Sequence, residues 1–179
     1  MAPFTRISEV EVHRGLRFVL ARARYRAADG TEFERDIVHH PGAVGIVPFH
    51  DDGTVTLVRQ FRAALGTDLV EIPAGLRDVE GEADRATAAR ELVEEAGLEA
   101  AELDLLATFH NSPGYCDESV AIYLATGLTP VADDRQGAEE QAMTVERLPL
   151  AEALAWVDDG RITDAKTIIG LSTLARRSR

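Results

Sequence analysis

Residues 82–98 read Glu82-Ala83-Asp84-Arg85-Ala86-Thr87-Ala88-Ala89-Arg90-Glu91-Leu92-Val93-Glu94-Glu95-Ala96-Gly97-Leu98. From Ala83 to Ala96 the pattern is helical: Ala89, Val93 and Ala96 recur at three- and four-residue spacing as an apolar stripe, flanked by Leu92. Gly97 ends the helix, as a glycine just past the last turn commonly does. At about 100° per residue, Glu91 and Glu95 lie one above the other and Glu94 falls on the adjacent edge. The spacing predicts that all three carboxylates converge on one point. Like charges so placed weaken an isolated helix by a few tenths of a kcal/mol each. A divalent cation is a candidate to offset that repulsion, since hard magnesium prefers carboxylate oxygens and shares its shell with substrate phosphates; by itself the pattern equally suits a solvated helix face with one intrahelical ion pair. Arg90 stands four residues before Glu94, where it can pair with that carboxylate and orient it.

Outward from this helix the chain alternates strands with few helices. Towards the N-terminus, Leu69–Ile72 reads as a short strand stopped by Pro73, and Thr54–Arg62 follows the hairpin signal Asp52-Gly53. Ala43–Phe49 is an apolar run that reads as a buried strand. Pro41-Gly42 marks a boundary. Before it, alternation at Val10 and Val12 and at Leu16, Phe18 and Leu20, with Asp29-Gly30 between Arg17–Arg26 and Glu32–His39, predicts a β-meander. Beyond the helix, strands are expected at Leu103–His110, Ser119–Ala125 and Ala142–Leu148. Two helices, Leu150–Asp158 and Asp164–Arg176, close the chain. The layout is a mixed α/β arrangement of the α+β type, with spacing too irregular for a doubly wound parallel sheet.

The 179 residues are 45% apolar, enough for one main domain with a small appendage. No segment approaches the roughly 20 uninterrupted apolar residues of a membrane helix. Residues 1–10 lack the basic-then-apolar pattern of a secretory signal. The single cysteine, Cys116, excludes an intrachain disulfide, and together these features suit a reducing cytoplasm. A formal net charge of −12 repels the nucleic-acid backbone and argues against nucleic acid as a partner. An acidic chain still handles phosphates when metal cations stand between the two sets of charges. His39, His40 and His110 form no cluster with ligand spacing and read as structural.

With its flanks, the segment Gly75-Leu76-Arg77-Asp78-Val79-Glu80-Gly81-Glu82 through Arg90-Glu91-Leu92-Val93-Glu94-Glu95-Ala96-Gly97-Leu98 resembles the Nudix box, G-x5-E-x7-R-E-U-x-E-E-x-G-U, where U is a bulky aliphatic residue. Everything from Glu82 to Leu98 fits. One departure stands before it: six residues separate Gly75 from Glu82, where the pattern has five. The added residue lies in the loop before the helix and should not move the carboxylates relative to each other. Pro113, sixteen after Gly97 within Ser112-Pro113-Gly114-Tyr115, resembles the mark of the ADP-ribose pyrophosphatase branch. His40-Pro41-Gly42-Ala43-Val44, Val58-Arg59-Gln60-Phe61-Arg62, Glu71-Ile72-Pro73-Ala74-Gly75 and the closing Gly160-Arg161-Ile162 also look like that branch. The similarity covers nearly the whole chain and looks closest to actinobacterial members.

This resemblance implies a Nudix fold, in which mixed β-sheets are sandwiched by helices. It places a catalytic domain over residues 42–179, after a small N-terminal β-meander over 1–41 that serves dimerisation. It implies magnesium, with manganese as a substitute, held by Glu91, Glu95 and the Ala74 carbonyl, with Glu94 as a secondary ligand oriented by Arg90. Glu82 supports the loop. The catalytic base of similar proteins sits on a loop downstream of the box, which matches Gly137-Ala138-Glu139-Glu140-Gln141 and makes Glu139 the candidate, with Glu140 the alternative. For the substrate, Arg62 is the phosphate clamp by its planar fork of donors, with Arg59 the alternate. Glu71 joins the substrate site, Pro113 and Gly114 border the terminal ribose, and Tyr115 or Phe18 could stack on a base. The implied reaction is hydrolysis of ADP-ribose to AMP and ribose 5-phosphate by a homodimer that exchanges its N-terminal segment. The alternatives are another nucleoside diphosphate sugar or dinucleotide, or a module that senses ADP-ribose without cleaving it.

Overall fold

The computed structural model describes residues 3–132 and 141–177. They form strands β1 (Phe4–Arg14), β2 (Val19–Ala27), β3 (Glu32–His39), β4 (Ala43–Pro48), β5 (Thr54–Arg62), β6 (Thr67–Glu71) and β7 (Ala74–Leu76), then helix α1 (Asp84–Ala96). Strands β8 (Leu98–His110), β9 (Ser119–Pro130) and β10 (Thr144–Pro149) follow, and helices α2 (Leu150–Asp158) and α3 (Ala165–Arg177) come last. The fold is the mixed α+β type expected. Two compact units divide it, Met1–Gly42 with His110–Ser119, and Ala43–Phe109 with Val120–Arg179. Composition marks a boundary near residue 41 and gives no sign that His110–Ser119 joins the first unit.

In that first unit β1, β2 and β3 pair antiparallel in order. The Asp29-Gly30 turn joins β2 to β3. Gly30 adopts φ 88°, which a side chain would disfavour, and Asp29 Oδ1 accepts the Thr31 N–H at 2.9 Å. Alternation sets the faces of β2: Ala21 and Ala23 are buried, while Arg22, Arg24 and Arg26 reach across to Asp36, Glu34 and Glu32 on β3. The 110–119 segment docks through backbone bonds, Val38 N–H to Tyr115 O at 2.7 Å and Asp117 N–H to Val38 O at 3.1 Å. His39 is structural here. Its Nδ1 meets Asp117 at 2.5 Å and its Nε2 meets Glu9 at 3.1 Å. Asp117 foremost, with Glu9, outweighs burial and raises its pKa.

In the second unit β7-β4-β9-β8 form a mixed sheet in which β4 runs parallel to β9, and β10-β5-β6 form an antiparallel one. β4 serves two cores. Val44 and Ile46 join Ala88 and Leu92 of α1 with Leu98, Leu103 and Ala125, whereas Val47 joins Val55, Leu57, Ile72, Ile122, Ala153 and Leu171. Helices therefore cover both kinds of position on β4, as a strand this continuously apolar requires.

Several elements depart from expectation, among them β9, which runs on to Pro130 instead of ending at Ala125. β7 lies beyond Pro73, where the sequence signals only a stop, and its three residues are too few to show a period. β8 starts at Leu98 rather than Leu103. Gly97 is left-handed (φ 62°, ψ 39°) and returns its N–H to Val93 O at 3.0 Å, so the chain reverses at once and Leu98 is already buried.

Candidate active site

The buried face of α1 is not the predicted apolar stripe. Ala89 is exposed and Val93 and Ala96 are half-buried, whereas Thr87, Ala88, Glu91, Leu92 and Glu95 are buried. Apolar periodicity misplaces the face because two of its inward positions are glutamates. Such residues are rarely buried without partners; here Arg90 of the same helix partners Glu91, and the Glu71–Leu76 segment partners Glu95.

Glu95 Oε2 accepts the Ala74 backbone N–H at 2.9 Å. Burial foremost, together with the nearby Glu91 charge, pushes the Glu95 carboxyl up to about 8 against the opposing pull of the Ala74 N–H, Arg62 and Lys166. Glu91 lies beside Gly75, where an added Cβ would overlap its carboxylate. Gly75 thus leaves the space that the Glu91 carboxylate occupies. Between β7 and α1 the Arg77 guanidinium grips Asp84 of the first helical turn by two 2.8 Å bonds.

Among the described residues no three His, Cys, Asp or Glu side chains gather as a metal-holding group. Arg90 donates to Glu91 at 2.7 Å, to Glu94 at 3.0 Å and to Glu82 at 3.2 Å. Burial works to lower the Arg90 pKa, but Glu82, Glu91 and Glu94 outweigh it and raise it. Arg90 therefore pairs with Glu94, as its spacing suggests, and holds Glu91 and Glu94 on the same guanidinium nitrogen. Glu82 also accepts the Thr87 hydroxyl at 2.8 Å, so it ties the loop to the helix.

The remaining candidates are placed as follows. Arg62, from the end of β5, turns its fork onto Glu71 of β6 by bonds of 2.7 and 2.6 Å. Glu71 is 1% exposed and also takes the Lys166 ammonium from α3. Burial works to raise the Glu71 pKa, yet the two cations outweigh it and hold it below the ordinary value. Arg59 pairs with Glu146 at 2.8 Å. The two clamp candidates thus face protein carboxylates. Pro113 and Gly114 are exposed in the first unit, in a turn closed by Tyr115 and Cys116 N–H bonds to Ser112 O, with Tyr115 61% exposed. Glu139 and Glu140 lie outside the described residues. Lys166, Asp164 and Thr167 were not singled out by the sequence. Only the placement of Asp164 three residues before Thr167, at a helix start, gives a signal.

The donor set fits a hard divalent cation. Glu91 and Glu95 are neighbouring buried carboxylates whose mutual repulsion and desolvation a cation would relieve, and Gly75 leaves the space one of them fills.

The NUDIX domain model matches residues 39–168, and the chain belongs to the Nudix family. Over 168 residues it is 43% identical to an ADP-ribose pyrophosphatase of Mycobacterium tuberculosis, covering 94% of this chain and 81% of that one. It is 38% identical over 146 residues to an ADP-ribose pyrophosphatase of Bacillus subtilis (82% and 78% covered), and 31% identical over 172 residues to a GDP-mannose pyrophosphatase of Citrobacter koseri (88% and 87%). A crystal structure of an ADP compounds hydrolase superposes with a TM-score of 0.84 at 24% identity, covering 98% of this chain and 94% of that one, which shows a common fold. Nudix hydrolases generally need a divalent metal. Among the described residues no helix is long and apolar enough to cross a membrane.

Proposed function

We propose that this Nudix hydrolase cleaves the diphosphate of ADP-ribose to AMP and ribose 5-phosphate with magnesium. The observation that carries the reading is the buried Glu91–Glu95 pair beside Gly75 and Ala74. The names of the relatives at 43% and 38% identity supply the substrate.

Glu91, Glu95 and the Ala74 carbonyl would hold the metal, with Glu94 as a secondary ligand. When bound, it neutralises diphosphate charge and acidifies a coordinated water. Arg90 keeps Glu94 and Glu91 oriented. Glu139, or Glu140 in its place, takes the proton of the attacking water as the new phosphorus–oxygen bond forms and the bridging one breaks. Arg62 and Arg59 reach substrate phosphate by exchanging a protein carboxylate for it, while Glu71 holds Arg62 in place until then. Pro113 and Gly114 border the terminal ribose.

A second copy of the chain is part of the proposal. Every residue of β1 is exposed, and Phe4, Ile7, Val10 and Val12 present apolar surface along it. A partner's N-terminal segment would cover such a strand. Sedimentation of the full chain should give a dimer.

The deciding experiment is a product assay over ADP-ribose, GDP-mannose and other nucleoside diphosphate compounds, with and without magnesium, for the native chain and Glu95→Gln. ADP-ribose should give AMP only with metal and only with Glu95. Preference for GDP-mannose would move the substrate to that of the 31% identical relative. Binding of ADP-ribose without product would make the chain a sensing module.

A further inference from the structure

Helix α3 is joined to the β6–β7 connection at adjacent residues. Thr167, 0% exposed, accepts the Ile72 N–H at 2.8 Å on its hydroxyl and donates that hydroxyl to Asp164 at 2.6 Å. Asp164 also caps the Thr167 N–H at 2.9 Å and takes the Lys166 ammonium at 3.0 Å, and Lys166 in turn reaches Glu71. Ile72 is held on both sides besides. A Cβ on Gly45 would stand 3.0 Å from Ile72 Cδ1, and one on Gly170 of α3 would stand 3.5 Å from the same atom. Two residues further on, Ala74 donates to Glu95, and then Gly75 abuts Glu91.

We propose that Thr167 is a positioning residue for the two metal-holding carboxylates: through Ile72 it fixes the short connection that presents Ala74 to Glu95 and Gly75 to Glu91. The inference rests on the reading of Glu91 and Glu95 as metal ligands. Thr167 touches neither carboxylate and acts only through backbone.

The test measures Mn2+ binding by paramagnetic resonance of the free ion, together with kcat and KM, on the full chain. Thr167→Val removes the acceptor while keeping shape. It should weaken Mn2+ binding about tenfold, the scale of one lost hydrogen bond, and lower kcat more than it raises KM. Thr167→Ser should restore both. Leu174→Ala, a cavity in the last turn of the same helix, should lower the melting temperature and leave Mn2+ affinity unchanged. Native affinity and kcat in Thr167→Val, equal losses in Thr167→Val and Thr167→Ser, or an equal loss of Mn2+ in Leu174→Ala overturns the proposal. Glu95→Gln separates the two levels: if it binds Mn2+ like the native chain, the reading of the carboxylates fails, and the positioning role fails with it. If Glu95→Gln loses Mn2+ and Thr167→Val keeps it, the positioning role alone falls.

Discussion

The Glu91 carboxylate occupies the space that a side chain on Gly75 would fill. A strand and a helix meet there with nothing but hydrogen on one side, so the residue that contributes no side chain decides where a charged one stands.

Gly75→Ala should therefore leave the two cores intact and displace Glu91. A misplacement on the scale of 1 Å costs on the order of 10²-fold in turnover. The expected result is a folded protein with a native circular dichroism spectrum and kcat/KM reduced by about that factor. Unchanged turnover would show that Glu91 has room the structure does not grant it.

Glu95→Gln should end turnover and, in chelator, stabilise the fold. The Glu95 carboxyl titrates at about 8 in the folded chain, against an unfolded value of 4.5. Its ionisation thus opposes folding. The penalty is absent below about pH 4.5, grows as pH rises and is complete above about pH 8. Melting curves in chelator should show the variant ahead of the native chain at pH 8.5 and level with it near pH 4.5. By the same linkage, divalent-ion binding at pH 7 should release a proton, measurable as buffer-dependent heat in calorimetry.

Glu71→Gln should destabilise the chain by about 1–3 kcal/mol, since it removes the buried carboxylate that Arg62 and Lys166 share while Lys166 keeps Asp164. The Glu71 pKa is lowered on folding, so its contribution is present above the unfolded value of 4.5 and is lost as pH falls through the folded one. Urea unfolding at pH 7 and in mild acid should show the gap between native and variant closing as the solution is acidified.

Glu139→Gln should lower kcat by about 10²–10⁴ and leave KM within a few-fold, as loss of a general base does. Equal changes in both constants would assign that residue to binding instead.

Much of this site was legible because its signals are local. Glu91, Glu94 and Glu95 sit on one predicted helix, Gly97 closes it, and Asp29-Gly30 and Asp52-Gly53 each begin a hairpin. What escaped depends on contacts between distant segments. Nothing near Lys166 in the sequence says that its ammonium meets Glu71. Nothing near Arg62 says that its fork is taken by the same carboxylate. The inward side of α1 was misread since apolar periodicity counts Ala89 and passes over Glu91 and Glu95. A helical wheel places Arg90 near Glu94 but does not say that the same guanidinium nitrogen also takes Glu91.

β4 runs parallel to β9, a partner that lies beyond β5, β6, β7, α1 and β8 in the chain. Parallel neighbours have no hairpin shortcut, and closing so long a loop precedes any reward from the contact. A nascent chain leaving the ribosome therefore carries Val44, Ile46 and Val47 with one strand edge open until residues past Val120 have emerged. Arrest of synthesis before that point yields a sticky fragment, and the helix glutamates reach their working arrangement only in a nearly finished polypeptide.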